Sequence, residues 1–227
     1  MHAMPALIDL DWDKAHRLVP SHFPPISLFE TVADPADLEI VYAVEALTND
    51  RLRDEAGELR LVAAPDRIAG PGSTPVMAAF THIGVASRFT DGRYGVYYAA
   101  RTLQTAIAET RYHRETFLRA TQEPDTELTL REYVGKVAQP LHDIRAENFC
   151  ELHQPDNYGP SQRFARQLRE QESPGLYYPS VRDSGGECLA AFKPRALTIP
   201  VQGSHYRYVW SGHAQAITAV LKVEAVA

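Results

Sequence analysis

The sequence is poor in the features that mark several large classes of protein. Its 227 residues include only two cysteines, Cys150 and Cys188, which excludes a disulfide-stapled secreted fold and favours reduced thiols. No apolar run approaches the roughly 18 residues that a membrane helix needs. The first 20 residues also lack a basic stretch followed by an apolar one. We therefore expect a cytoplasmic protein with no membrane contact.

Positive charge and metal-binding motifs are scarce as well. The chain has 23 Lys and Arg against 29 Asp and Glu, a net charge of −6, and no block of basic residues. Proteins that bind nucleic-acid backbones need basic surface, so direct nucleic-acid binding is not expected. The nine histidines are scattered and form no HExxH motif, and the cysteines form no CxxC motif. We therefore expect no metal site.

Short strand-like segments and helical segments alternate along the chain, which predicts an α+β domain. With 44% hydrophobic residues, the chain can bury a sizeable core. Helices are predicted to begin near residues 34, 73, 103 and 161. Strands are predicted within residues 57–68, twice within 84–100, within 126–145 with Tyr133 and Val134 at the centre, twice within 175–194, and at 205–212 before an apolar tail.

Glu109 occupies an unusual place in the predicted helix over residues 103–118. The residues expected to pack inward on this helix are Leu103, Ala106, Ile107, Thr110 and Phe117. Glu109 lies at the border of that face, beside Ala106 and His113. A half-buried carboxylate usually serves a salt bridge or a ligand, because burying it without a partner is costly. A surface ion pair with Arg111 or Arg114 and a functional carboxylate both stay open.

Three further positions could carry chemistry. Arg88 faces away from Val85 in a predicted strand, where it could hold a phosphate or carboxylate, or lie solvated at the sheet edge. Tyr97 and Tyr98 must point to opposite faces of their strand, so that one is in the core and the other faces outward. Ser180 precedes a Gly-Gly turn and lies outside any GxSxG elbow, so we do not expect a nucleophile. Its hydroxyl could serve only the loop backbone.

These residues, in this order, resemble the RES domain family, which is named for its Arg, Glu and Ser. The segment "SRFTDGRYGVYYAARTLQTAIAE" is similar to the family block that carries the arginine, the tyrosine and the glutamate. The segment "LYYPSVRDSGGECLAAFKP" is similar to the serine block, and "YGPSQRFARQLRE" resembles the helix between them. The resemblance covers about residues 84–195.

The resemblance implies a fold and a domain layout. RES proteins have a fold related to ADP-ribosyltransferases, with a mixed or antiparallel β core and flanking helices. Residues 84–227 would form this core, and residues 1–83 would be a helical extension packed on it, giving one compact unit. Arg51 or Arg53 could supply a second arginine ligand, although a solvent-facing helix end is the alternative.

The resemblance also implies a site. RES proteins consume NAD⁺ as a substrate, without a metal. Glu109, Arg88 and Ser180 would be catalytic, and the residues that bind NAD⁺ would be Arg88, Tyr97, Tyr98, Ser180 and Arg182. Glu109 would stabilise positive charge on the ribose and Arg88 would pair with the pyrophosphate or ribose. Tyr98 would stack on nicotinamide, and Ser180 would bond the ribose or amide.

RES proteins are toxins of bacterial toxin–antitoxin pairs, so the resemblance implies growth arrest and a cognate antitoxin that occludes the NAD⁺ pocket. We expect transfer of ADP-ribose to a protein, for example a nucleotide-biosynthesis enzyme such as phosphoribosyl-pyrophosphate synthetase. A water acceptor would make the protein an NAD⁺ glycohydrolase, and a phosphate acceptor would make it a phosphorylase. A non-catalytic module that binds a nucleotide or peptide is an alternative from another class.

Overall fold

The computed structural model describes residues 4–21 and 58–224. The α-helices in these ranges are α1 (Thr74–Thr81), α2 (Leu103–Ala120) and α3 (Gly159–Glu170). The strands are β1 (Leu7–Ile8), β2 (Ala15–Pro20), β3 (Tyr97–Ala100), β4 (Thr126–Gly135), β5 (Leu141–Asp143), β6 (Gly175–Pro179), β7 (Glu187–Ala191), β8 (Val201–Ser211) and β9 (Ala216–Val223). None of the helices in the described ranges combines the length and apolar content needed to cross a bilayer.

All nine strands join one sheet in the order β1-β5-β6-β7-β3-β2-β4-β8-β9. The pairing of β5 with β6 is parallel and the other pairings are antiparallel. The predicted α+β class with a mixed β core and flanking helices is therefore confirmed.

The N-terminal residues contribute to this sheet. Residues 1–83 were assigned to a helical extension packed on the core, but β1 forms one edge of the sheet and β2 lies between β3 and β4. That assignment is wrong for residues 4–21, because β1 has only two residues and the six residues of β2, AHRLVP, do not alternate between apolar and polar. The helix predicted near residue 34, with Arg51 and Arg53, lies outside the described residues.

The sheet separates two hydrophobic cores. Alternation along β3 shows the division, since Tyr97 and Ala99 pack in one core while Tyr98 and Ala100 pack in the other. The first core includes Val76 of α1, and the second lies on the side of α2 and α3. The sequence prediction that Tyr97 and Tyr98 point to opposite faces is confirmed.

The predicted helices and strands are correct where the local signals are strong. Thr102 caps α2, because its side-chain oxygen accepts a hydrogen bond from the Thr105 N–H at 3.1 Å. Strands β6 and β7 flank the glycine-rich turn as predicted. The predicted helix near residue 161 is α3.

Other local predictions are wrong. Residues 57–68 were expected to hold a strand, but the described part, from residue 58 onward, contains the 3-10 turns Leu59–Leu61 and Ala64–Asp66, the second of which includes a proline. The first strand expected within residues 84–100 is a tight turn with a single bridge between Ser87 and Thr90. Tyr133 and Val134 lie near the end of β4 and not at its centre, and the apolar tail forms strand β9. The apolar tail shows the cause most clearly, because it becomes a strand by pairing with β8.

Candidate active site

A cleft opens where two neighbouring strands separate. Strand β2 pairs with β3 only at His16 and Ala100, whereas it pairs with β4 along its whole length. The cleft in this gap has a volume of about 570 Å³, within the range of small-molecule sites. Strands β2 and β3, helix α2 and residues 85–88 line it, together with Tyr158, Tyr178 and Cys188.

Glu109 lies in this cleft and is held by Ser180. The Ser180 hydroxyl donates a hydrogen bond to Oε1 of Glu109 at 2.6 Å. The Ser180 oxygen in turn accepts hydrogen bonds from the backbone N–H groups of Arg182 at 3.1 Å and Asp183 at 3.0 Å. These three bonds use the full hydrogen-bonding capacity of the hydroxyl, and the bond to Glu109 orients the carboxylate.

The ion pair considered for Glu109 from the sequence is not formed. Arg111 instead pairs with Glu115, one turn further along α2, at 3.0 Å. Among the described residues, Glu109 has no cationic partner within 4.0 Å. Glu109 is also partly buried. The carboxylate is therefore available to a positively charged ligand group.

Arg88 also lines the cleft. It is only 7% exposed, which corrects the alternative of a solvated edge arginine. Its Nη1 donates to the backbone oxygen of Gln154 at 2.9 Å, and its guanidinium carbon lies 4.7 Å from the ring centroid of Tyr158. No carboxylate within the described ranges pairs with this guanidinium, which leaves its charge to attract an anionic group.

Tyr98 fixes the segment that carries Arg88. Its phenol oxygen accepts a hydrogen bond from the Phe89 N–H at 3.0 Å and bonds Ser87 Oγ at 2.7 Å. Burial raises the pKa of Tyr98 to about 12, so the phenol stays protonated at neutral pH. Helix α3 supports the same segment, because the Ser161 hydroxyl donates to the backbone oxygen of Arg88 at 2.7 Å. Arg88 is thereby anchored on both sides.

Tyr98→Phe should lower the free energy of unfolding by about 1 to 3 kcal/mol, because the buried Phe89 N–H would lose its partner. Urea denaturation measures this change. Tyr112→Phe is the matched control, since the Tyr112 hydroxyl bonds the exposed Asp156 at 3.0 Å and its loss should cost under about 0.5 kcal/mol. An equally small change in both variants would show that the Tyr98 hydroxyl does not anchor the segment.

Three predicted binding residues do not line the cleft: Ser180, which reaches it through Glu109, and Tyr97 and Arg182. Tyr97 is buried in the core on the other face of the sheet, where the Arg17 guanidinium carbon lies 4.4 Å from its ring centroid. Arg182 stacks over Tyr112 at 3.3 Å and donates to the backbone oxygen of Pro155 at 2.6 Å. Neither side chain lines the cleft, so we do not carry Tyr97 and Arg182 into the proposed site.

Several cleft residues were missed in the sequence. Arg17 of β2 lines the cleft and donates from Nη1 to the backbone oxygen of Tyr98 at 3.1 Å. Its buried Nε has no hydrogen-bond partner among the described residues. The sequence feature that could have identified Arg17 is its position inside the largely apolar segment "AHRLVP". Cys188 also lines the cleft, and burial raises the pKa of its thiol, which therefore stays protonated.

The inward face predicted for α2 is correct at Ala106 but wrong at Phe117. Ala106 is buried, while Phe117 is 56% exposed because its side of the helix overlooks the cleft mouth instead of the sheet. His113 and Arg114 line the same wall. Helix α2 therefore presents a row of cleft residues that begins with Ala106 and ends with Phe117.

The charges in the cleft favour an anionic ligand that also carries a cation. Arg17, Arg88 and Arg114 line it, and Glu109 is the one acidic residue among its described lining residues. Nowhere in the described ranges do three or more His, Cys, Asp or Glu residues form a group that could hold a metal ion. The arrangement suits an anionic ligand that also carries a positively charged group.

Comparison with known proteins gives a consistent assignment. The family model described as RES domain matches residues 64–211, more than half of the chain. An uncharacterized protein of Sinorhizobium fredii, y4oC, is 30% identical over 201 residues, which cover 88% of this chain and 84% of y4oC.

Among solved structures, a chain of the M. tuberculosis MbcT–MbcA toxin–antitoxin complex aligns with a TM-score of 0.44 and 9% identity. The alignment covers 93% of this chain and 88% of that one. Because the family match spans most of the strands and all three helices of the described fold, together with Arg88, Glu109 and Ser180, the chain belongs to the RES domain family.

Proposed function

We propose that this protein is a RES-type toxin that cleaves the nicotinamide–ribose bond of NAD⁺ and transfers ADP-ribose to a protein side chain. One observation carries the proposal: the Glu109 carboxylate, held by Ser180 at 2.6 Å, faces a cleft whose other strongly charged lining residues are arginines. Membership of the RES domain family supports NAD⁺ as the substrate.

The cleft chemistry matches the parts of NAD⁺. Breaking the nicotinamide–ribose bond builds positive charge on the ribose, as in glycoside cleavage, and a nearby carboxylate lowers the energy of that state. Glu109 provides this carboxylate. Arg88 would hold the pyrophosphate, and the ring of Tyr98 would contact nicotinamide. No resident cofactor or metal takes part in this scheme, because NAD⁺ is consumed.

Ser180→Ala should reduce kcat by a factor of roughly 5 to 150, because losing the bond that orients Glu109 costs about 1 to 3 kcal/mol. A continuous assay of nicotinamide release measures this change. Ser204→Ala is the control, since Ser204 lies on β8 outside the cleft lining.

The same serine distinguishes this proposal from hydrolase chemistry. A nucleophilic serine needs a histidine base within hydrogen-bond reach, and none of the described histidines bonds Ser180, whose hydroxyl donates to Glu109. Fluorophosphonate probes should therefore fail to label the protein. Stoichiometric labelling at Ser180 would replace the NAD⁺ proposal with an acyl-transfer enzyme.

The acceptor of ADP-ribose can be identified by tracing a label carried by NAD⁺. Purified protein is incubated with NAD⁺ labelled in its adenylate part, first alone and then with a cell extract or purified phosphoribosyl-pyrophosphate synthetase. A labelled protein band supports the transferase. Label found only in free ADP-ribose or in ADP-ribose phosphate would instead identify a glycohydrolase or a phosphorylase, and intact NAD⁺ would contradict the proposal.

We also propose a cognate antitoxin that covers the cleft. The rim carries the exposed apolar side chains Val85 and Phe117, which are 82% and 56% exposed and would bury well against a partner segment. Expression in a bacterium should arrest growth, and co-expression of the protein encoded beside it should restore growth. Growth arrest that persists with Glu109→Gln would show that toxicity does not come from this site.

A further inference from the structure

His113 shares the cleft wall with Glu109. It lies four residues further along α2, and both side chains line the cleft. Residues at this spacing are neighbours on one helix face, with Cβ atoms about 5 to 6 Å apart. Because helical side chains tilt toward the N-terminus of the helix, the His113 ring leans toward the turn that carries Glu109.

The His113 ring is free to meet a ligand. Its centroid lies 5.4 Å from that of Tyr112 in an edge-on contact, which restricts the ring without using a nitrogen. Neither ring nitrogen bonds any residue that the structure describes, in contrast to His142 and His153, whose ring nitrogens bond backbone oxygens at 2.8 and 2.7 Å. The residue is exposed, so a second substrate can reach it from solvent.

The surroundings of His113 keep its imidazole neutral. Although one side of His113 is open to solvent, contact with the cleft wall removes part of its hydration and lowers its pKa, and Glu109 opposes this change. The guanidinium groups of Arg182, Arg114 and Arg88 lower the pKa further. A histidine whose pKa lies below its ordinary value is largely neutral near pH 7 and can accept a proton.

We propose that His113 is the general base that removes the proton of the ADP-ribose acceptor, an inference that rests on the proposed function. The acceptor oxygen or nitrogen forms a bond to C1′ of the ribose while the bond from C1′ to the nicotinamide nitrogen breaks. The electron pair of the broken bond leaves with nicotinamide, which departs as a neutral molecule. The acceptor proton passes to His113 and then to solvent.

This assignment separates two tasks that one carboxylate performs poorly together. Glu109 must stay negatively charged while positive charge grows on the ribose, and taking the acceptor proton would remove that charge. A base one turn away avoids the conflict. A general base is useful only for an acceptor that must lose a proton, such as water or a protein hydroxyl. The assignment of His113 therefore excludes a phosphate dianion as the acceptor, because that ion can attack without a base.

The test compares steady-state NAD⁺ cleavage by the natural protein, His113→Gln and His213→Gln between pH 5 and 9. His213→Gln is the matched control, since His213 is an exposed histidine in the turn between β8 and β9.

General-base removal typically costs 10²-fold or more, so kcat of His113→Gln should fall about 100-fold with KM for NAD⁺ within about twofold. In the natural protein kcat should fall as His113 is protonated at acid pH, and this limb should vanish in His113→Gln. Added imidazole should restore part of the rate.

The possible failures are distinguishable. If the natural protein cleaves NAD⁺ and His113→Gln keeps the same kcat and the same acid limb, His113 is not the base and the proposed function stands. An increase in KM with unchanged kcat would likewise exclude His113 as the general base and would indicate a role in binding. If phosphate is the only productive acceptor, the inference fails although NAD⁺ is consumed. No cleavage by the natural protein would overturn both proposals.

Discussion

Glu109→Gln should lower kcat for NAD⁺ cleavage by a factor on the order of 10² or more, while the folded structure is retained. Glutamine keeps the size of the side chain, and its oxygen can still accept the Ser180 hydroxyl. The negative charge is lost, however, and charge stabilisation of this kind is typically worth about 3 kcal/mol. Nicotinamide release under saturating NAD⁺ gives kcat, and circular dichroism with thermal unfolding reports the fold.

Glu127→Gln is the matched control for that change. Glu127 is an exposed glutamate on β4 whose partner Arg207 is 3.4 Å away, outside the cleft. Its replacement should leave kcat unchanged within about twofold, because screened surface pairs contribute little. Unchanged turnover in a folded Glu109→Gln protein would remove Glu109 from the reaction.

Arg88→Ala should raise KM for NAD⁺ about 30-fold or more with kcat largely retained. Truncating one partner of a buried, hydrogen-bonded charge pair typically costs roughly 2 to 5 kcal/mol. Arg88 is buried, and we place the pyrophosphate against it, so the loss falls on binding. Initial rates over a wide range of NAD⁺ concentration separate KM from kcat.

Two further variants keep this test interpretable. Arg88→Lys retains the charge but not the planar fork of donors, so its KM should lie between those of the natural protein and Arg88→Ala. Arg93→Ala removes an exposed arginine that does not line the cleft and whose guanidinium lies 2.6 Å from the carboxylate of Asp91. This variant should leave KM unchanged. A KM that does not move in a folded Arg88→Ala protein would exclude Arg88 from the NAD⁺ site.

Local signals predicted those parts of the fold that depend on neighbouring residues. The apolar spacing along α2 and the glycine-rich turn between β6 and β7 act within a few residues, so their elements were recognised. The segment around Arg88 has the composition of a strand, yet it forms a turn. Its backbone is held by the Tyr98 hydroxyl and by helix α3, partners that no local pattern reveals.

The sequence by itself determined which chemical groups are available and in what order: an arginine, a tyrosine, a glutamate and a serine, on a chain with no basic block and only two cysteines. It also placed Glu109 on a helix and Ser180 in a turn, because those assignments depend on the short-range spacing of apolar residues and on turn preferences.

Only the tertiary structure decided which of these groups meet. Ser180 reaches Glu109 across 71 positions of the chain, and Arg17 enters the cleft because β2 lies between β3 and β4. The same sheet turns Tyr97 away from the cleft and Tyr98 toward it. The physical reason is that strand pairing between distant segments depends on the packing of the whole core, which short-range preferences do not encode.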